Sequence, residues 1–147
     1  MANHDTRVYE GMLEMLSGEE NPTPMVRLNR VVPSMQARIY AKLEWYNPFG
    51  SVKDRVAHNL LRDADEKGLL GDGQQLVEPT SGNTGMGLAM LANAKGYELT
   101  TPLSNKIPAE KRVMLGFFGS HVEEAQHHSF LCRNFVGKAW SARSPWR

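Results

Sequence analysis

Between residues 39 and 119 the chain alternates short runs of two-residue apolar period with longer runs of helical period, and glycine or proline punctuates the joins. Ile39, Ala41 and Leu43 alternate with Tyr40, Lys42 and Glu44, the pattern of a strand with two unlike faces. Asn47-Pro48-Phe49-Gly50 is a turn. Ser51 is a good N-cap, Asp54 stands three residues on as a variant capping box, and Val52, Val56, Leu60, Leu61 and Ala64 form an apolar stripe. Gly68 stops that helix. Gly71-Asp72-Gly73 turns the chain into a strand over 75–78, and a loop over 79–85 leads into a packed helix over 86–94 that ends at Gly96. A strand over 97–101 follows. After Pro108 a helix carries Val113, Met114, Phe117 and Phe118 and stops at Gly119. Strands alternating with helices across short turns predict an α/β fold, a three-layer αβα arrangement with a largely parallel sheet.

Composition narrows the setting. The chain has 147 residues, 41% of them hydrophobic and 22% charged, the proportions of an ordinary globular protein. A net charge of +1 gives no drive toward nucleic acid or a membrane surface. The polar first residues do not read as a secretory signal, and no stretch approaches the length of a membrane-spanning helix. Cys132 is the one cysteine, so no internal disulfide forms. A soluble, cytoplasmic protein is expected.

The two ends differ from the middle. Met12, Leu13, Met15 and Leu16 predict a short packed helix, which Asn21-Pro22-Thr23-Pro24 terminates. From Ala125 to Arg147 there is no acidic residue, while Arg133, Lys138, Arg143 and Arg147 are basic. Trp140, Trp146 and Cys132 crowd the same stretch without a clean period. Two readings stay open: a poorly ordered basic tail, or a segment read in a different frame from the preceding domain. The division expected is therefore 1–124 and 125–147. His127-His128 beside Cys132 lacks a carboxylate or a further thiol, so no metal site is assigned. His58 sits one position off the apolar stripe and reads as a boundary residue.

Two segments carry chemistry. Lys53 falls in the first turn of the helix that Ser51 caps, where a cation meets the partial positive charge of the helix N-terminus. The neutral amine is the form that attacks a carbonyl to give a Schiff base. A solvated surface lysine is the bland alternative. Glu78-Pro79-Thr80-Ser81-Gly82-Asn83-Thr84-Gly85 runs from a strand end to a helix start. Its small residues expose backbone N–H groups, Thr80, Ser81 and Thr84 add hydroxyls, Asn83 adds an amide, and the helix dipole favours an anion. The glycine spacing of the dinucleotide fingerprint and the P-loop lysine pattern are both absent. Alone, the loop reads equally as a plain cap and turn.

Together the segments have a precedent. Asn47-Pro48-Phe49-Gly50-Ser51-Val52-Lys53-Asp54-Arg55 resembles the lysine motif of the cysteine synthase and cystathionine β-synthase family. These are pyridoxal-phosphate enzymes of the tryptophan synthase β-like fold, fold type II. Thr23-Pro24-Met25-Val26-Arg27-Leu28 is similar to the family's opening motif, and Ala41-Lys42-Leu43-Glu44 to its first strand. Asn105-Lys106-Ile107-Pro108 also looks family-like, whereas Thr100-Thr101-Pro102-Leu103 departs from the usual spacing.

The resemblance implies a catalytic Lys53 that links pyridoxal 5'-phosphate. It implies that Thr80, Ser81, Gly82, Asn83 and Thr84 grip the α-carboxylate of a small amino-acid substrate, with Asn83 also touching the cofactor ring. The implied reaction is β-replacement on an O-activated serine: O-acetylserine and sulfide give cysteine and acetate. Cystathionine β-synthase or dehydratase chemistry remains open, as does a truncated, non-catalytic fragment. The likeness covers roughly residues 12–124, well under half of a family enzyme, so the fold is expected to be incomplete. No Gly/Thr-rich candidate for the phosphate cradle follows Gly85. Full-length members of the family are expected to be homodimers.

Overall fold

The structure is a computed structural model that describes residues 8–30 and 37–125. In chain order the elements are β1 (Met25–Arg27), β2 (Tyr40–Lys42), α1 (Lys53–Glu66), β3 (Gln75–Val77), α2 (Asn83–Ala94), β4 (Glu98–Ser104), α3 (Ala109–Phe117) and β5 (Ser120–Ala125). Single 3₁₀ turns lie at Met12–Met15 and Glu44–Tyr46. The predicted two-face strand at 39–44 is thus cut to three residues and runs into a 3₁₀ turn. It pairs antiparallel with β1, an element the sequence pattern did not announce.

The principal sheet is parallel, in the order β3-β4-β5. Each parallel step needs a crossover, and α2 and α3 provide them. In β4 every residue from Leu99 to Ser104 is buried, on both faces of the strand, as a layered α/β fold requires. The fold class is α/β with a parallel sheet.

Pro102 lies inside this central strand, where a missing N–H normally breaks the ladder. Pairing explains the tolerance. Thr100 faces β3, because its carbonyl accepts from the Glu78 N–H at 3.1 Å. Alternation turns residue 102 to the same side, and β3 has already ended at its Val77–Thr100 pair. No ladder bond is lost.

The core forms where α1 and α2 meet the sheet, around Ala57, Leu61, Leu76, Leu88, Leu91, Ala92 and Leu99. A fully buried leucine contributes about 1.5–3 kcal/mol. The predicted stripe on α1 is rotated: Val52 and Val56 are exposed, whereas Asp54, Ala57, Leu61 and Ala64 are buried. The α1–α2 seam decides this. A Cβ on Gly87 would stand 3.2 Å from the Ala57 Cβ, so the helices approach closely at small residues and push the valines outward. Glycine inside a helix costs about 1 kcal/mol against alanine, a cost offset here by the close seam.

On α3 the outcome is similar. Leu115 is its buried residue, while Val113, Met114 and Phe117 are exposed, Phe117 by 79%. Their spacing predicted the helix, and of the four apolar residues named on it Phe118 packs against the core. Met12 and Leu13 are also exposed rather than packed. No helix among the described residues is long and apolar enough to cross a membrane. The basic segment from 126 to 147, with His127, His128 and Cys132, lies outside the described residues.

Candidate active site

The turn before Lys53 is held from several directions. Gly50 takes φ +74°, which glycine tolerates, and its N–H donates to the Asn47 carbonyl at 2.8 Å. The Lys53 N–H donates to Ser51 Oγ at 3.0 Å, and the Asp54 N–H to the Ser51 carbonyl at 3.2 Å. Ser51 therefore caps as predicted, although regular helix begins only at Lys53.

Asp54 behaves otherwise than the capping-box reading expects. It is fully buried, and its Oδ2 accepts from the Phe49 N–H at 2.8 Å. Its Oδ1 has no hydrogen-bond partner among the described residues. Burial pushes this carboxyl above its ordinary value of 3.8, opposed by the N–H groups of Phe49, Ser51 and Asp54 itself.

A second set of contacts joins the three quoted motifs. Asn47, itself buried, donates through Nδ2 to Glu44 Oε2 at 2.7 Å and to the Glu44 carbonyl at 2.6 Å. Arg55 Nε lies 3.3 Å from Glu44 Oε2, and Arg55 Nη2 donates to Thr23 Oγ1. Ser17 Oγ is 2.9 Å from Thr23 Oγ1 and also donates to Asn47 Oδ1. The Asn47 amide, ahead of the Arg55 guanidinium, holds the Glu44 carboxyl below its ordinary 4.5. Thr23, Glu44, Asn47 and Arg55 thus form one polar network beneath the Lys53 turn. Sequence reasoning saw these residues as motif letters and missed that they touch, because the pairs lie up to 32 positions apart.

The loop is built differently. The Glu78 N–H is anchored on Thr100, and the Thr80 N–H donates to the Glu78 carbonyl at 2.9 Å. Gly85 is required: a Cβ there would meet Thr80 Cγ2 at 2.7 Å and the Thr80 carbonyl at 2.8 Å. Gly82 caps α2 without any side-chain hydrogen bond, and the first helical bond runs from Met86 to Gly82. The N–H groups of Asn83, Thr84 and Gly85 therefore have no acceptor among the described residues, which leaves an open donor cluster. Burial pushes the Glu78 carboxyl above its ordinary 4.5.

Packing sets the first turns of α1 against α2. Gly87, one turn into α2 from Asn83, abuts Asp54, the neighbour of Lys53. Lys53 and Asn83 are exposed, while Thr80, Ser81, Gly82 and Thr84 are half-buried. No hydrogen bond or ion pair involves the Lys53 amine among the described residues. An unengaged amine and an open donor cluster fit a group carrying an aldehyde, together with an amino-acid carboxylate. His58, half-buried farther along α1, is held below its ordinary 6.5 by burial and then by Arg62 and Lys95. An open apolar groove lined by Phe49, Met90, Phe117 and Phe118 includes none of the predicted site residues.

The chain has relatives of known family and fold. Residues 16–139 match the family model described as pyridoxal-phosphate dependent enzyme, and the chain belongs to that family. Among its relatives, a probable cysteine synthase of Bacillus subtilis (strain 168) is 47% identical over 100 residues, 68% of this chain and 32% of the relative. A cystathionine beta-synthase of Dictyostelium discoideum is 40% identical over 115 residues, 78% of this chain and 22% of the relative. The crystal structure of O-ureido-L-serine synthase superposes with a TM-score of 0.71 at 34% identity, covering 89% of this chain and 39% of that one. The fold is that of the type II pyridoxal-phosphate enzymes, in part. The chain spans about a third of the length of the cysteine synthases it matches.

Proposed function

We propose that this chain carries the cofactor lysine and the substrate-carboxylate loop of a β-replacement enzyme acting on an O-activated serine, with cysteine synthase chemistry. What supports the proposal is that, among the described residues, the Lys53 amine has no hydrogen bond or ion pair and the first N–H groups of α2 have no acceptor. The two helices pack together where Gly87 meets Asp54 and Ala57. A lysine kept for solubility needs neither the pinned turn behind it nor the donor cluster on the neighbouring helix.

In this reading Lys53 Nζ holds pyridoxal 5'-phosphate, and the Asn83 amide lies against its ring. When bound, the cofactor supplies an electron-accepting ring conjugated to the substrate α-carbon. The chain's own residues do the rest. Thr80, Ser81, Gly82, Asn83 and Thr84 receive the substrate carboxylate through hydroxyls, the Asn83 amide and the free N–H groups. Clamping the carboxylate fixes the direction of the Cα–H bond, and orientation of that kind is worth several kcal/mol of barrier. Once the incoming substrate amine has replaced it on the cofactor, the released Lys53 Nζ would accept the α-proton as general base, typically worth about 10²–10⁴-fold. The Gly85–Thr80 contact keeps the loop in the shape that presents its donors.

Cystathionine β-synthase relatives at 40% identity favour a second reading in the same class, with a different nucleophile on the same lysine and loop. We also propose that the chain acts in the cytoplasm and that the complete enzyme is a homodimer. Because the chain spans about a third of its relatives, the isolated 147 residues should bind cofactor weakly and turn over little substrate. The test is reductive trapping: incubate the chain with pyridoxal phosphate, reduce with borohydride, and locate the modified residue by mass spectrometry. Label on Lys53 supports the reading. Label confined to other lysines sinks it.

A further inference from the structure

The buried carboxylate beside Lys53 plays no part in the chemistry proposed above. Asp54 is fully inaccessible, yet one of its oxygens has no partner among the described residues. A helix-capping acid gains from its position only while water or N–H groups satisfy both oxygens, and burial of an unpaired one costs free energy. The unpaired oxygen therefore works against the stability that the other one supplies. The other oxygen does have a task. It takes the Phe49 N–H at 2.8 Å and so ties the turn over 47–51 back onto the first turn of α1. Gly87 of α2 faces it closely: even a Cβ there would lie in ordinary contact, 3.6 Å from Oδ1 and 3.7 Å from the Asp54 Cα. The side chain is thereby wedged between the turn and the neighbouring helix, one residue from the reactive amine.

We infer that Asp54 is a positioning residue: its wedged carboxylate fixes the turn over 47–51 against α1 and α2 and thereby sets where the Lys53 amine emerges. The inference rests on the reading of Lys53 as the cofactor lysine, but its first readout does not use the cofactor. The ionisable groups around Asp54 are few. Glu44 bears on it from the 3₁₀ turn, and Lys53 and Arg55 flank it on its own helix. Phe49 and Gly87, the residues facing it from the turn and from α2, carry no charge.

The experiment is competitive acetylation of the full 147-residue chain with acetic anhydride, read as the modification of Lys53 relative to exposed Lys95 and Lys106. Asp54→Ala removes the acceptor for Phe49 and should change that ratio by about threefold or more. Asp54→Asn keeps an acceptor and should restore it to within about twofold of wild type. Borohydride trapping with pyridoxal phosphate should decline in the same order. Unchanged Lys53 ratios in both variants, at equal folded content by circular dichroism, overturn the inference. Altered ratios together with trapping elsewhere than Lys53 leave Asp54 as positioner and remove the cofactor reading instead. If Asp54→Ala fails to fold, amide exchange in the wild-type chain decides: a protected Phe49 N–H supports the wedge, and open-chain exchange there refutes it. A pH series adds a check that neutral packing would not give. The folded Asp54 is raised above 3.8, so its contribution to stability is complete below that value and is lost as pH climbs through the folded value. Asp54→Asn should lack that decline.

Discussion

The starts of α1 and α2 belong to two helices that share a seam, and they solve the same problem in opposite ways. Each helix opens with N–H groups that the helix itself cannot satisfy. At α1 the chain supplies the acceptors: Ser51 Oγ takes the Lys53 N–H, the Ser51 carbonyl takes the Asp54 N–H, and Asp54 ties the preceding turn. At α2 the cap is Gly82, which offers no side chain, and the donors of Asn83, Thr84 and Gly85 have no acceptor among the described residues. A closed start gives a rigid base for a reactive amine. An open start gives a receptor for an anion. The difference teaches that a helix terminus becomes functional through what its cap leaves unsatisfied.

The strongest way to break the comparison is to remove the amine. Lys53→Ala should abolish borohydride-trapped cofactor, a loss of more than about tenfold against wild type by mass spectrometry, since among the described residues no other lysine is the first residue of a helix. Persistence of the label in that variant would refute the division of roles. Next comes the open start. Gly85→Val drives a branched side chain into Thr80 and should lower unfolding free energy by about 2–3 kcal/mol, read from the urea midpoint. A variant as stable as wild type would mean that the loop adapts and is not shaped by this contact.

Smaller effects probe what lies beneath the closed start. Thr23→Val removes the acceptor of Arg55 and should cost about 1 kcal/mol, since the guanidinium keeps Glu44 as a partner. A neutral result would reduce the polar network to surface decoration. The smallest effect is expected far from both starts. Phe117→Ser, at a side chain 79% exposed, should change stability by less than about 0.5 kcal/mol. A larger loss would show that Phe117 is covered in solution.

Much of the site was legible because it is local. The turn over 47–50, the Ser51 cap, the glycine stops and the order of the motifs all follow from φ limits, missing donors and short-range side-chain hydrogen bonds. The alternation of strands and helices likewise gave the α/β class, and the family match agrees with the motifs quoted for it. The errors cluster where a residue had to be assigned to a face. Val52, Val56, Val113, Met114 and Phe117 are apolar at helical spacing and are nonetheless exposed.

Periodicity says that a helix has an apolar side. It does not say which neighbour that side meets, or whether one is present. The chain by itself therefore determined the turn over 47–50, the Ser51 cap and the glycine stops, and that a lysine and an anion-type loop occur in the order of a known family. Helix α2, by contrast, begins at Asn83, three residues before the expected start. Only tertiary structure decided that Asp54 is buried, that Pro102 is harmless in a central strand, and that Gly87 of α2 packs against Asp54 and Ala57 of α1. Local rules act over a few residues, whereas burial and register are properties of pairs far apart in sequence.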